Sequence, residues 1–268
     1  MATPAARALA PAPSPAAVLE LLKPVTWFPP MWAFGCGAIS AGPVDAINEP
    51  QRPIPSGRIG GRWGLAIALA GSALSLATAA LLGPWVLLWA SLGLLLAWLY
   101  SAPPIRLKRN GWWGNAAVGL SYEGLAWISG ASVVLGALPG APILLAALLY
   151  SVGAHGIMTL NDFKSIAGDR RMGVGSLPVR LGPRAAARVA CVTMALPQAA
   201  VIALLLHWAM PAHAAAVAVL LAVQLLMMRR FLADPAARAL WYSAYGVNFF
   251  VLGMLVTALA LRSLPGVS

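Results

Sequence analysis

Residues 63–100 read WGLAIALAGSALSLATAALLGPWVLLWASLGLLLAWLY, without one charged side chain. Two apolar runs, 63–82 and 84–100, flank a Gly83–Pro84 break. Each is long enough to cross a hydrocarbon core of about 30 Å as a helix. In such a core the backbone finds no water, so its polar groups must pair within the segment. A spanning β-barrel would alternate polar and apolar residues over segments of about ten, and this stretch does not alternate. Outward from it, further apolar segments fall at 27–42, 115–137, 142–160, 185–206, 214–228 and 241–262. The expected fold is an all-α polytopic membrane protein with about eight apolar helices.

Composition agrees. The chain is 60% hydrophobic and 9% charged, where a soluble domain carries about a quarter charged residues. The formal charge of +11 does not indicate nucleic acid, because the basic residues fall in loops between spans, as expected of a topology signal. Cys36 and Cys191 stand far apart in apolar stretches, with no metal spacing and no expected disulfide. Residues 1–18 are Ala/Pro-rich without a continuous apolar core, which fits neither a signal peptide nor a span. They are expected to form a disordered cytoplasmic tail, leaving 19–268 as a single transmembrane domain.

The connectors alternate in kind. Those at 43–62, 101–114, 161–184 and 229–240 carry nearly all the Lys and Arg, whereas Gly83–Pro84, 138–141 and 207–213 carry none. The positive-inside rule puts the basic set in the cytoplasm. One element breaks parity. Arg7 and Lys23 precede segment 27–42, and Arg52, Arg58 and Arg62 follow it. A single crossing cannot begin and end on the same side. Either 27–42 re-enters, or a crossing is missing between Ala41 and Asp45.

The seven acidic residues are concentrated. Four occupy two short polar segments, Val44 to Pro53 with Asp45 and Glu49, and Asn161 to Arg171 with Asp162 and Asp169. Oxygen ligands of this kind suit Mg²⁺, which also keeps substrate phosphates in its shell. Asp45, Asn48, Asn161, Asp162 and Asp169 are the oxygen donors. Arg52, Arg106, Lys108, Lys164 and Arg170 are cations suited to the remaining phosphate charge. A diphosphate held this way is a good leaving group, which points to transfer of an allylic group from a lipid diphosphate. Tyr100 reads either as a ring facing a developing cation or as part of an interfacial aromatic belt. Glu123 is the one acid deep inside a span, a functional position by default. His155 reads as a ligand to a pigment metal or as a histidine hydrogen-bonded within the bundle. Trp112, Trp113 and Trp127 are candidates to line a flat ligand. No Ser/His/Asp or Cys/His arrangement suggests a protein nucleophile.

Six stretches together resemble the UbiA superfamily of intramembrane prenyltransferases, in its branch of chlorophyll and bacteriochlorophyll synthases. They are KPVTWFPP at 23–30, VDAINEPQRPIPSG at 44–57, YSAPPIRLK at 100–108, GWWGN at 111–115, SYEGLAW at 121–127 and NDFKSIAGDRRMGVGSLPVRLG at 161–182. The resemblance implies a bundle of about nine helices around a lipid-facing cavity, capped by cytoplasmic loops that bind Mg²⁺ and diphosphate. It implies transfer of a geranylgeranyl or phytyl group from its diphosphate to the propionate carboxylate of (bacterio)chlorophyllide. The implied partners are these two substrates, the bilayer and photosynthetic assembly proteins, without nucleic acid. The implied setting is a bacterial inner or intracytoplasmic photosynthetic membrane.

The assembled site then has Asp162, Asp169 and Tyr100 as catalytic residues, with Asp45, Asn161, Asp162 and Asp169 toward the metal. Asn48, Arg52, Arg106, Lys108, Lys164 and Arg170 face the diphosphate. Glu123, Asn115, Trp127 and His155 face the tetrapyrrole. Two departures stand out. The family's first Asp-rich motif keeps only its last acid, Asp45, and the second helix is missing where charge parity also demands a crossing. In addition, Ala167 stands where this branch has Glu. The rival expectation is a catalytically impaired homologue that binds tetrapyrrole or assists assembly.

Overall fold

The computed structural model describes residues 56–60 and 63–264. The expected tail at 1–18, segment 27–42, Cys36, Asp45, Asn48 and Arg52 lie outside the described residues. Everything described between 63 and 262 is helix or short connector, without a strand. Helix α1 is Trp63–Leu82 and α2 is Pro84–Ser101. The hinge is the single residue Gly83, at φ 122°, a conformation side chains disfavour. Pro84 then opens α2 at a position whose N–H has no helical partner anyway.

The third span has three parts: α3, Gly111–Gly119, a π turn at Leu120–Leu125, and α4, Ala126–Leu135. Helix α5, Ala141–Asp162, continues through a 3₁₀ turn at Phe163–Ser165 into α6, Ile166–Arg171. A short α7, Leu177–Leu181, leads to α8, Pro183–His207. Helix α9 is Pro211–Ala233, and the last span bends between α10, Pro235–Tyr245, and α11, Val247–Arg262.

Seven of these units are long and apolar enough to cross a membrane, matching the seven apolar segments read between 63 and 262. The boundaries shift where loop charge suggested connectors. Residues 161–171 remain helical, and Arg229 and Arg230 lie within α9, near its end, leaving Asp234 as the whole link to α10. Asp234 accepts a hydrogen bond from Ala237 N at 3.3 Å, capping α10.

Packing joins α5, α8, α9, α10 and α11. Tyr150, Met194, Phe231, Tyr242 and Phe250 are fully buried there. Phe231 stacks on Tyr242 at 5.1 Å and meets Phe163 edge-on at 5.9 Å. Several polar groups within this apolar interior are paired across helices. Gln198 Nε2 donates to Gln224 Oε1 at 2.7 Å, Gln224 Nε2 donates to Tyr242 Oη at 3.0 Å, and Tyr150 and Thr257 share a hydroxyl bond of 2.8 Å. The outside of the bundle is apolar, with Leu81, Val134 and Leu240 among its most exposed side chains, as lipid-facing surface should be.

Candidate active site

The basic connectors converge at one end of the bundle. After α2 the chain turns through a Pro103–Pro104 pair and runs into a 3₁₀ turn at Leu107–Arg109. Asn110 caps α3, its Oδ1 accepting from Trp112 N at 3.0 Å. Two backbone bonds then clasp this loop to the one after α6: Gly111 N to Gly175 O at 2.8 Å and Gly175 N to Arg109 O at 2.9 Å. The clasp carries Lys108 to Asp169, which feels its positive charge.

Asp162 ends α5 and faces α3. Asn115 Nδ2 donates to Asp162 Oδ2 at 3.1 Å and lies 3.2 Å from Thr159 Oγ1. Thr159 Oγ1 in turn donates to the His155 carbonyl at 2.9 Å. Asp162 and Asp169 lie within electrostatic reach of each other, and Tyr100 stands beside both, with Tyr122 close by. Asp169 is buried. The Ser176 hydroxyl faces Asp169, yet its oxygen closes no hydrogen bond of good geometry.

Buried polar atoms without a partner cluster on these walls. Among the described residues, Arg106 Nε, Ser101 Oγ and Ser176 Oγ are in this state here, and Ser72 Oγ and Gln198 Oε1 elsewhere in the bundle. Such atoms are uncommon in folded proteins unless a ligand completes them. Arg106 also holds a left-handed backbone, φ 46°, a strained conformation for a side-chain-bearing residue of the kind that concentrates at binding sites. An anion would complete its guanidinium.

The expected site residues therefore divide. Asp162, Asp169, Tyr100, Lys108 and Asn115 come together, with the Asn115 amide on Asp162 at this polar end. Arg106 is half-buried on the same loop, while Lys164 and Arg170 are exposed at this end. Asn161 turns its amide nitrogen back to Met158 Sδ at 3.8 Å. His155 is buried below Thr159, its ring 5.7 Å from Trp112. Trp127 is deeper still, stacked over Tyr150 at 5.6 Å. Glu123 lies on the π turn, about 12 Å farther in than Asn115 at 1.5 Å per residue. Thr159, Ser176 and Tyr122 were not singled out from sequence. Thr159 carried the readable signal: a polar residue between His155 and Asp162 on one face of an apolar helix.

Among the described residues no three of His, Cys, Asp and Glu gather as a metal site. Two carboxylates with phosphate oxygens are nonetheless a usual Mg²⁺ environment. The donors are hard oxygens and the neighbouring orphaned groups are cationic or hydroxylic, so the residues fit that ion together with a diphosphate.

Known proteins place the chain. The UbiA prenyltransferase family matches residues 41–254. The chain is 50% identical to the bacteriochlorophyll synthase 33 kDa chain of Cereibacter sphaeroides, covering 94% of this chain and 95% of that one. The alignment spans 286 positions, more than the 268 residues present here, so the relative carries residues that this chain lacks. Chlorophyll synthase of Arabidopsis thaliana is 36% identical, over 90% of this chain and 73% of that one. A solved digeranylgeranylglyceryl phosphate synthase superposes with a TM-score of 0.65 at 20% identity, over 86% of this chain and 80% of that one. A UbiA homologue from Archaeoglobus fulgidus, bound to GPP and Mg²⁺, gives 0.58 at 22% identity, over 91% and 84%. Seven apolar crossings, a polar site clasped at one end of the bundle and these likenesses lead to one assignment: the chain is an integral membrane protein belonging to the UbiA prenyltransferase family.

Proposed function

We propose that this protein is a Mg²⁺-dependent (bacterio)chlorophyll synthase, transferring a geranylgeranyl or phytyl group from its diphosphate to the propionate of (bacterio)chlorophyllide. The observation that carries the reading is the pairing of Asp162 and Asp169 beside Lys108 and Arg106, under a loop whose buried donors lack partners. The 50% identity to a bacteriochlorophyll synthase across nearly both chains supports the choice of acceptor.

In this reading Asp162 and Asp169 hold Mg²⁺, with Asp45 and Asn161 as further oxygen donors. The ion, when bound, neutralises charge on the departing diphosphate. Asn115 holds the Asp162 carboxylate toward the site. Lys108, Arg106, Lys164 and Arg170 bind the outer phosphate oxygens, joined by Asn48 and Arg52. Tyr100 presents its ring where the allylic carbon gains positive charge. The substrate carboxylate supplies the electron pair for the new C–O bond, and the diphosphate departs with the electrons of the broken one. The basic end faces the cytoplasm of a bacterial inner or photosynthetic membrane.

The test is incubation of membranes holding the full chain with chlorophyllide, geranylgeranyl diphosphate and Mg²⁺. Formation of esterified pigment, abolished by a chelator and restored by Mg²⁺, is expected. Pigment retained tightly without any ester would overturn the reading in favour of a binding protein.

A further inference from the structure

Resting on the synthase reading, we infer that Glu123 anchors the acceptor, donating a hydrogen bond to a carbonyl oxygen on the rim of the tetrapyrrole ring.

The π turn sets the register of this helix. In a regular α-helix the residue four beyond Gly119 lies beneath it on the same face, and that residue is Glu123. Here the extra residue of the π turn shifts the register. Gly119 and Gly124, five apart, both abut Ser151 of α5. A side chain at Gly119 would bring its Cβ to 2.6 Å from the Ser151 carbonyl oxygen, so this face tolerates nothing larger than glycine. Leu125, the next residue, faces Gly93 of α2. The turn thus spends its two neighbouring faces on α5 and α2 and rotates Glu123 out of the α5 contact, leaving it half-exposed. Interruptions of this kind recur at functional sites because they re-aim a side chain.

The carboxyl has no hydrogen-bond partner among the described residues. The sequence offers it no counter-ion either: Lys and Arg are absent from 24–51, 63–105, 110–163, 189–228 and 239–261. An isolated charge in apolar surroundings is unfavourable, so the uncharged acid is the form the site supports. An uncharged carboxyl carries an O–H donor. It stands about 12 Å deeper than the Asn115–Asp162 pair, at 1.5 Å per residue, a separation on the scale of one macrocyclic ring. An acceptor whose propionate reaches the diphosphate end therefore brings the far part of its ring to this depth. The rim of that ring carries ketone oxygens, which accept hydrogen bonds. A simple fatty acid, whose only oxygens are those of the reacting carboxylate, has no group to meet Glu123, so the residue discriminates for a large, carbonyl-bearing acceptor.

The experiment compares wild type, Glu123→Leu and Glu123→Gln, each as full chain in membranes, varying chlorophyllide and geranylgeranyl diphosphate separately. Loss of one donor predicts a rise of about tenfold in KM for chlorophyllide, with KM for the diphosphate unchanged. Glutamine keeps an N–H donor, so E123Q should stay within about twofold of wild type. Chlorophyllide binding without diphosphate, followed by tryptophan quenching, should weaken in parallel. Equal KM in E123L and wild type, or equal loss for both substrates, would overturn the inference. An analogue with its ring ketone removed tests wild type directly, should E123L fail to fold: weaker binding by about tenfold is expected, and undiminished binding overturns the inference. Absence of ester from wild type would instead sink the synthase reading, while the quenching comparison still decides the role of Glu123.

Discussion

In the proposed reading, Asp162 and Asn115 set the chemistry at the scale of single residues. One amide donates to the carboxylate at 3.1 Å and sits 3.2 Å from Thr159, so Asn115 limits the directions in which Asp162 can present its free oxygen. Removing a partner behind a metal ligand commonly lowers activity 10- to 100-fold. Asn115→Leu should therefore reduce kcat about tenfold and raise the Mg²⁺ concentration needed for half activity. Asp162→Asn removes a ligand itself and should lower kcat by more than about 100-fold. Both follow from initial rates of ester formation across a Mg²⁺ titration. Should N115L leave the Mg²⁺ dependence unmoved, Asn115 merely packs α3 on α5.

Elements divide the work between a site half and a packing half. Helices α2, α3 and α5 and the clasped loops carry the polar site, whereas α8, α9 and α10 share the Gln198–Gln224–Tyr242 chain. Hydrogen bonds between membrane helices contribute roughly 0.6–1.7 kcal/mol each. Gln224→Leu breaks one bond to each neighbour and leaves the Tyr242 hydroxyl without its donor. The variant should lose about 1–2 kcal/mol of stability, read as a lower melting temperature in detergent, with both KM values unchanged. An altered KM would mean that this chain of amides reaches the site, contrary to its placement among fully buried core residues.

From Trp63 onward the connectors alternate in charge, with Arg262 at the end of α11 the exception on the otherwise uncharged side. Loops 102–110 and 172–176, together with Asp234, share one end, and the connectors at 83, 136–140 and 208–210 share the other. Ser56, Gly57 and Arg58 precede α1 at its starting end, so they belong with the basic loops. A cysteine introduced at Ser56 should be labelled by an impermeant thiol reagent from the same side as one introduced at Lys164. Opposite labelling would mean that α1 is inverted relative to α5. This parity isolates the anomaly upstream, where a single apolar segment at 27–42 precedes α1. The 286-position alignment with a chain of similar type is consistent with residues missing from this one.

Sequence alone determined the class and its seven described crossings, because an uncharged apolar run near Trp63–Tyr100 has one stable form in hydrocarbon. It also exposed Asp162, Asp169 and Glu123, since acids are too rare in this chain to be incidental. What pattern could not supply was register and approach. The clasp between Gly111 and Gly175 that brings Lys108 to Asp169, the turn of Asn115 toward Asp162 and the π turn that re-aims Glu123 each depend on how helices distant in sequence meet. Hydropathy is a property of one segment, whereas these contacts arise from two, so only the tertiary structure decided them.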